Sequence, residues 1–439
     1  MAPHRPVLDK SLGRFATEVF RHLPRSDQRR WARVYLHGLL TVQGRKSLQN
    51  LSRSAPASST ARQSLQQFIS SSNWDWVPLR HALARYVHKN AAIDAWTLAP
   101  VAIPKRGEQS VGVCRRFVAE EGRTLNCQSA TGLFLATGAG SVPVDWRLQL
   151  DGPWAHDTSR RRRVRLPDSA RSCPPWAAML DMVTHLTPHL PPAPLVADAQ
   201  CAGEPEQLMA GLAGQELDFL IEVPPSTKVL AQGLFRPDTS PRPTPVASLA
   251  HHSLAHLRTA RPTAAAEPRL WACRTLVTVD GVAKPLRLWA QQHPGQSESS
   301  PLWLTNLTHA REDIIGQLIA YATSGRRTVT ALAQGYGLAD FEGRSYPGWH
   351  HHMTMVSAAY GYRALQEDPA AGRSVVPPAR PAGDGTPRAA RPPRPVPRNV
   401  PAAAAQRTRL PGAHHRAPRP GPAFGTGHEG REQGGTPHR

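Results

Sequence analysis

The sequence predicts an α/β domain preceded by an all-helical segment, and three observations support this. Residues 11–88 place apolar side chains at helical spacing. From about Ile93 the apolar runs become short and follow the two-residue period of strands. Beyond residue 176, helical and strand patterns alternate, with two short apolar strands at residues 195–198 and 219–223. Periodicity alone supports an α/β class and nothing narrower.

The first 90 residues are expected to form an all-α module. Leu12, Phe15 and Val19 recur at helical spacing, Pro24 ends that helix, and Ser26 is a candidate cap for the next. Basic residues lie between the apolar stripes, which indicates either a solvated helix face or a surface that contacts DNA phosphates. The candidates for DNA contact here are Arg29, Arg30, Arg33 and Lys46.

Three strands are expected next, at residues 96–103, 110–117 and 125–136, with a turn at residues 121–123. Residues 224–268 are rich in Pro, Ser, Thr and Ala and indicate an irregular segment. Asp280-Gly281 then predicts a hairpin between two strands. We therefore expect a β-rich insertion at about residues 224–300, within a domain that spans residues 91–365.

Residues 366–439 are expected to form a disordered Pro/Arg-rich tail, because they have too few large apolar residues to bury a core. The whole chain has 53 Lys and Arg against 32 Asp and Glu, a net charge of +21. Such a charge favours a polyanionic partner, although a basic tail and biased composition would also produce it. Five cysteines without a Cys-x-x-Cys pair favour a reducing cytoplasm, and no apolar run reaches membrane-spanning length.

The stretch from residue 338 to 352 is the most specific in the chain. It contains Phe-Glu-Gly-Arg-Ser at residues 341–345 and Gly-Trp-His-His-His at residues 348–352. Together with Gln-Gln-Phe at residues 66–68 and Trp-Asp-Trp at residues 74–76, it resembles the DDE transposases of the insertion-sequence-701 family. The resemblance implies an RNase H-like mixed sheet, Mg²⁺ as cofactor and double-stranded DNA as partner, with a homodimer as a further expectation.

The same resemblance implies three carboxylates that converge on two Mg²⁺ ions. Asp198, in the frame Val-Ala-Asp-Ala, matches the second and is the candidate catalytic and metal-binding residue, although it could instead cap a helix. The first carboxylate falls on Ala99, and the glutamate falls on Ala331. Asp94 is the acid nearest to Ala99, and its offset along the strand makes it a poor substitute. One carboxylate of three therefore remains.

Three functions stay open at this point. The chain could be a transposase-family protein that binds DNA with impaired or absent catalysis. It could be an active transposase that cuts and joins DNA with acids not yet identified, or a protein-interaction scaffold whose charge is incidental. The arginine run at residues 160–163 is either a DNA contact or a solvated linker. The remaining candidates for DNA contact are Lys105, Arg106, Arg161, Arg162 and Arg344.

Overall fold

The computed structural model describes residues 10–55, 59–118, 121–199, 203–232, 242–257, 269–292 and 301–367. Almost all of the tail expected at residues 366–439 lies outside these ranges. Among the described helices, none is both long enough and apolar enough to cross a membrane.

Within its described residues, the N-terminal segment contains five α-helices, as the apolar spacing predicts. In α1, the residues Leu12, Phe15, Ala16 and Val19 are all buried. Helix α2 begins at Ser26 itself, and its N-cap is Arg25, whose N–H donates to the Gln28 side chain, so the predicted cap is one residue too late. The helices are α1 (Lys10–Val19), α2 (Ser26–Thr41), α3 (Leu48–Ser52), α4 (Ala61–Gln66) and α5 (Val77–Asn90).

A mixed sheet follows, and its central five strands have an RNase H-like arrangement. Their order is β4-β3-β1-β5-β6. Strands β1, β3 and β4 are antiparallel neighbours in turn, whereas β5 is parallel to both β1 and β6. The strands are β1 (Ala95–Pro104), β2 (Val113–Val118), β3 (Arg123–Thr137), β4 (Gly140–Leu148), β5 (Leu195–Ala197) and β6 (Phe219–Val223). Strand β2 pairs with the first part of β3. The predicted RNase H-like α/β fold class is confirmed.

The segment expected as a β-rich insertion extends this sheet. Strand β11 pairs with β6, and β10, β9, β7 and β8 continue the sheet outward. Gly281 in the predicted hairpin turn has a φ of +75°, a left-handed conformation that favours glycine. The added elements are β7 (Lys228–Ala231), β8 (Thr244–Pro245), α10 (Val246–Leu257), β9 (Arg269–Thr278), β10 (Leu286–Gln292) and β11 (Leu302–Thr305).

The last helix, α13, ties the N-terminal helices to the sheet. It contacts α2 and α5 and also β4, so these elements share one hydrophobic core. Trp349, Met353, Val356 and Ala359 are buried along it, because these elements pack around several of its sides. The remaining helices are α6 (Pro153–His156), α7 (Thr158–Arg163), α8 (Pro175–Leu186), α9 (Pro205–Gly214), α11 (Glu312–Ala322), α12 (Ser324–Gly335) and α13 (Tyr346–Glu367).

Candidate functional site: a carboxylate edge and a basic surface

Asp198 lies directly after β5, at the edge where β1 and β5 run side by side. The parallel register pairs Trp96 with Leu195 and Thr97 with Val196. If this register is extended by two residues, Ala99 lies beside Asp198. The two positions that the sequence assigns to the first and second carboxylates therefore lie together, although they are far apart along the chain. The alternative role of Asp198 as a helix cap involves residues 200–202, which lie outside the described ranges.

Arg326 is the residue that pairs with Asp198. Its Nη2 lies 2.8 Å from Asp198 Oδ2, and the side chains are 32% and 4% exposed respectively. The start of α12 is pressed onto β1, since a Cβ on Gly325 would lie 3.1 Å from the Ala99 Cβ. Ala99 has no larger side chain to push this helix away. The packing of Gly325 against Ala99 consequently holds Arg326 next to the Asp198 carboxylate.

Ala331 lies on this same helix but does not face Asp198. It follows Arg326 by five residues, which on an α-helix means about 7.5 Å along the axis and about 140° around it. The buried residues of α12 are Gly325, Thr328 and Leu332, while Ala331 is only half-buried. The helix to which the sequence assigns the glutamate does pack at this edge, but Arg326, rather than Ala331, is the residue that contacts Asp198.

Glu222 is a second carboxylate at this edge, which sequence reasoning missed. Strands β5 and β6 pair Ala197 with Ile221, so the next step of the register sets Glu222 beside Asp198. The Ala199 N–H donates to Glu222 Oε2 at 3.2 Å. Burial raises the pKa of the Glu222 carboxyl, and the Asp198 charge raises it further, against the lowering effects of Ala199 N–H and Arg326. The available signal was an acid inside an otherwise apolar strand.

A cleft of about 730 Å³ opens beside this edge, and we name it the β1 cleft. Residues 100–104 of β1 form one wall, and parts of β2, β3, α8 and α12 form the others. Arg326 lines the cleft, and its guanidinium contacts Asp198. Phe117 of β2 stands in the wall and is 66% exposed.

Three segments distant in sequence meet near the end of β1, at residues 105–112, 157–166 and 340–346. We name them the three-loop surface. Lys105 Nζ donates to the Phe341 carbonyl at 2.9 Å, and Val111 N–H donates to the Arg344 carbonyl at 3.0 Å. Tyr346 N–H donates to the Val164 carbonyl at 2.8 Å. The structure thereby brings together the segments that carry the exposed Arg106, Arg162 and Arg344 and the half-buried Lys105.

Two predicted DNA contacts are instead structural. Lys46 is 6% exposed; its Nζ donates to the Val42 carbonyl and its backbone N–H to Asp340 Oδ2. Arg161 is 8% exposed and donates to three backbone carbonyls, those of Trp154, Pro167 and Ala170. Burial removes both from the candidate DNA contacts, because their donors are used inside the protein.

The arginines of α2 remain nearer the surface. Arg30 is exposed and lies over the Trp31 ring, 5.3 Å from its centroid. Arg33 is exposed and donates to Thr17 Oγ1 at 3.0 Å. Arg29 is half-buried and donates to the Leu23 carbonyl at 2.5 Å. Arg30 and Arg33 are therefore the two that can reach a ligand without giving up an internal backbone hydrogen bond.

The three consecutive histidines are buried, and each has its own partner. His350 Nδ1 accepts from Arg80 Nη2 at 3.0 Å. His351 lies between the carbonyls of Ile69 and Trp74, at 2.9 and 2.8 Å, and a neutral imidazole donates to one of them at a time. His352 Nε2 donates to the Gly337 carbonyl, while Nδ1 accepts from the Tyr35 hydroxyl. The hydrogen bonds of these histidines connect α13 to the N-terminal helices and to the loop that precedes α13.

These features define an RNase H-like α/β protein with an acidic edge beside a basic surface. The family described as DDE superfamily endonuclease matches residues 18–283, more than half of the chain, and the chain belongs to that family. The match ends before α12, so Arg326 and residues 338–352 lie beyond it. No curated protein matches the chain. Solved structures similar to it include a piggyBac transposase synaptic complex with hairpin DNA, with a TM-score of 0.39 and 12% identity, covering 82% of this chain and 72% of that one.

DDE endonucleases generally use divalent metal ions, and the residues at this edge do not fit a two-metal centre. Ala99 offers no side-chain oxygen, and Asp198 is paired with Arg326. Asp94 accepts from the Tyr321 hydroxyl at 2.7 Å, which ties it to α11. Within the described ranges, no group of three or more His, Cys, Asp or Glu side chains could hold a metal ion. Mg²⁺ requires several oxygen ligands in near-octahedral geometry, which Asp198 and Glu222 alone do not supply.

Proposed function

We propose that this DDE-family chain binds double-stranded DNA through the three-loop surface and does not cleave it by two-metal chemistry. The observation that carries the proposal is the ion pair between Arg326 and Asp198, beside an alanine at position 99. The guanidinium supplies the positive charge that a metal ion would otherwise bring to Asp198. Binding and catalysis are thereby separable in this chain.

The case for DNA binding rests on where the exposed arginines lie. Arg106, Arg162 and Arg344 are exposed and come from three segments that hydrogen bonds hold together, which supports one basic surface. Arg30 and Arg33 on the N-terminal helices are a second set of phosphate contacts. Exposed arginines bind phosphates by releasing counterions, which makes affinity depend steeply on salt.

Fluorescence anisotropy with a labelled DNA duplex, titrated at several salt concentrations, tests this part. We expect the triple variant Arg106→Ala, Arg162→Ala, Arg344→Ala to bind more weakly, and its salt slope to fall by about one for each arginine that binds a phosphate. Arg274→Ala is the matched control, because Arg274 is an exposed arginine on β9, toward the other end of the sheet. Equal salt slopes for the triple variant and the wild type would contradict the assignment of this surface.

Nicking of supercoiled plasmid in Mg²⁺ or Mn²⁺ tests the other part. We expect no metal-dependent nicking by the unmodified protein, and no change on Asp198→Ala. The second candidate function is an active nuclease, and the position of Glu222 beside Asp198 is what favours it. Metal-dependent nicking that disappears in both Asp198→Ala and Glu222→Ala would establish that alternative.

The scaffold alternative makes a different prediction. If the basic surface is incidental, protein truncated after residue 367 should not bind duplex DNA even at low salt, whereas we expect it to bind with reduced affinity. Light scattering after size exclusion checks the homodimer that the family resemblance implies. The cysteine usage further favours a reducing compartment, as in the cytoplasm.

A further inference from the structure

Phe117 is the one large apolar side chain that the described part of the chain leaves exposed. It lies on β2 opposite Thr124 of β3, so a two-stranded ladder fixes its position. A single exposed phenylalanine needs no explanation by itself. The second observation is its location, because Phe117 stands in the wall of the 730 Å³ β1 cleft.

The lining of this cleft combines apolar surface with a few polar groups. Val101, Ile103 and Met179 supply apolar walls, whereas Gln149 and Gln334 supply amide donors and acceptors. A flat aromatic face with hydrogen-bonding groups at its edge is the chemistry that recognises a nucleobase. The volume lies within the range of small-molecule pockets, roughly 300–1,000 Å³.

One exposed arginine beside the cleft also favours a nucleic acid. Arg115 lies two residues before Phe117 on the same face of β2. The two arginines in the lining, Arg116 and Arg326, are instead paired with carboxylates, and Glu121 lines the cleft as well. The wall formed by β1 leads directly into Lys105 and Arg106 of the three-loop surface. Residues 100–104 of the cleft wall and the three-loop surface are thus continuous along the chain.

We propose that the β1 cleft takes a single unpaired nucleobase of DNA, stacked on Phe117. The inference rests on the proposed DNA binding and adds a substrate feature to it. A base inside a duplex cannot reach the cleft without leaving its stack, so the protein should prefer DNA in which one base is already unpaired.

The test compares two labelled duplexes that differ only in one central unpaired adenine, with affinity measured by anisotropy at fixed salt. We expect the wild type to prefer the duplex with the unpaired base. Phe117→Ala should weaken binding of that duplex by about 5- to 150-fold, the usual effect of removing one stacking side chain. It should change binding of the fully paired duplex by less than about twofold, and Phe117→Tyr should retain the preference.

Two further variants separate stacking from charge. Arg115→Ala is the matched control on the same strand face, and it should weaken both duplexes equally. Ala333→Trp places a bulky side chain in the cleft from α12 and should remove the preference while Phe117 stays in place. Replacing the adenine by 2-aminopurine adds a spectroscopic readout, because its fluorescence rises when the base leaves the quenching stack of the duplex.

The outcomes are distinct for the two proposals. Binding of paired duplex with no preference for the unpaired base, or a preference that Phe117→Ala leaves unchanged, overturns the cleft assignment and leaves the three-loop surface intact. Absence of binding to either duplex at low salt overturns both.

Discussion

Replacing Arg326 by methionine is the perturbation that most directly probes the carboxylate edge. Asp198 is 4% exposed, so it cannot recover hydration when the guanidinium is removed. Methionine keeps much of the length and the apolar stem of the arginine but carries no charge. The variant therefore isolates the cost of leaving a buried carboxylate without its nearest cation.

Removing one partner of a buried ion pair usually costs about 3–5 kcal/mol. Arg326 itself is about one-third exposed, and water that follows it into the site softens the penalty. We therefore expect the lower end, a decrease of about 3 kcal/mol in the free energy of unfolding. Asp198→Asn in the same background should recover most of this decrease, because the charge that needed pairing is then gone.

Chemical denaturation of the wild type, both single variants and the double variant completes the cycle. Arg327→Met is the matched control: Arg327 is the next residue, is exposed, and donates to the Ala320 carbonyl at 3.3 Å. We expect it to cost less than about 0.5 kcal/mol, as surface substitutions usually do. An Arg326→Met variant no less stable than Arg327→Met would refute the reasoning that the ion pair holds this edge.

Three more predictions concern the same edge and the buried histidines. Millimolar Mn²⁺ should raise the melting temperature of Arg326→Met more than that of the wild type, because the negative charges of Asp198 and Glu222 then lack the Arg326 guanidinium and can bind the cation. Glu222→Gln in the Arg326→Met background should abolish this difference. Calorimetry should show that the double variant Ala99→Asp, Arg326→Glu binds Mn²⁺ more tightly than the double variant Ala99→Asp, Ala331→Glu. The reason is that position 326, unlike position 331, faces Asp198. The free energy of unfolding should fall as the pH drops from about 6.5 to about 4. Burial lowers the pKa of His351 and His352 to about 4, so over this range the unfolded chain takes up protons that the native protein does not. A free energy of unfolding that stays constant across this range would contradict the assignment of both histidines as buried and neutral.

Local patterns in the sequence were sufficient for the order of most elements outside residues 224–268. The expectation that those residues are irregular was wrong, since β7, β8 and α10 lie among them. Strand and helix periods depend on neighbouring residues, so the apolar run that ends at Asp198 and the hairpin at Gly281 were readable without coordinates. The sequence motif that assigned the first carboxylate to Ala99 is also consistent with the β1–β5 register, which sets Ala99 beside Asp198. The helix expected to carry the glutamate was likewise the one that packs on this edge.

Only the tertiary structure decided which side chains meet. Glu222 reaches Asp198 because β5 and β6 are neighbours in one register, and strand adjacency is not a local property of either segment. Arg326, rather than Ala331, faces the carboxylate because Gly325 packs against Ala99 and thereby sets the rotation of α12. Lys46 and Arg161 have the same charge and flexibility as exposed basic residues, so the sequence could not show that backbone carbonyls already bind them. Composition determined that the chain is basic, whereas the packing of three distant segments determined which arginines share a surface.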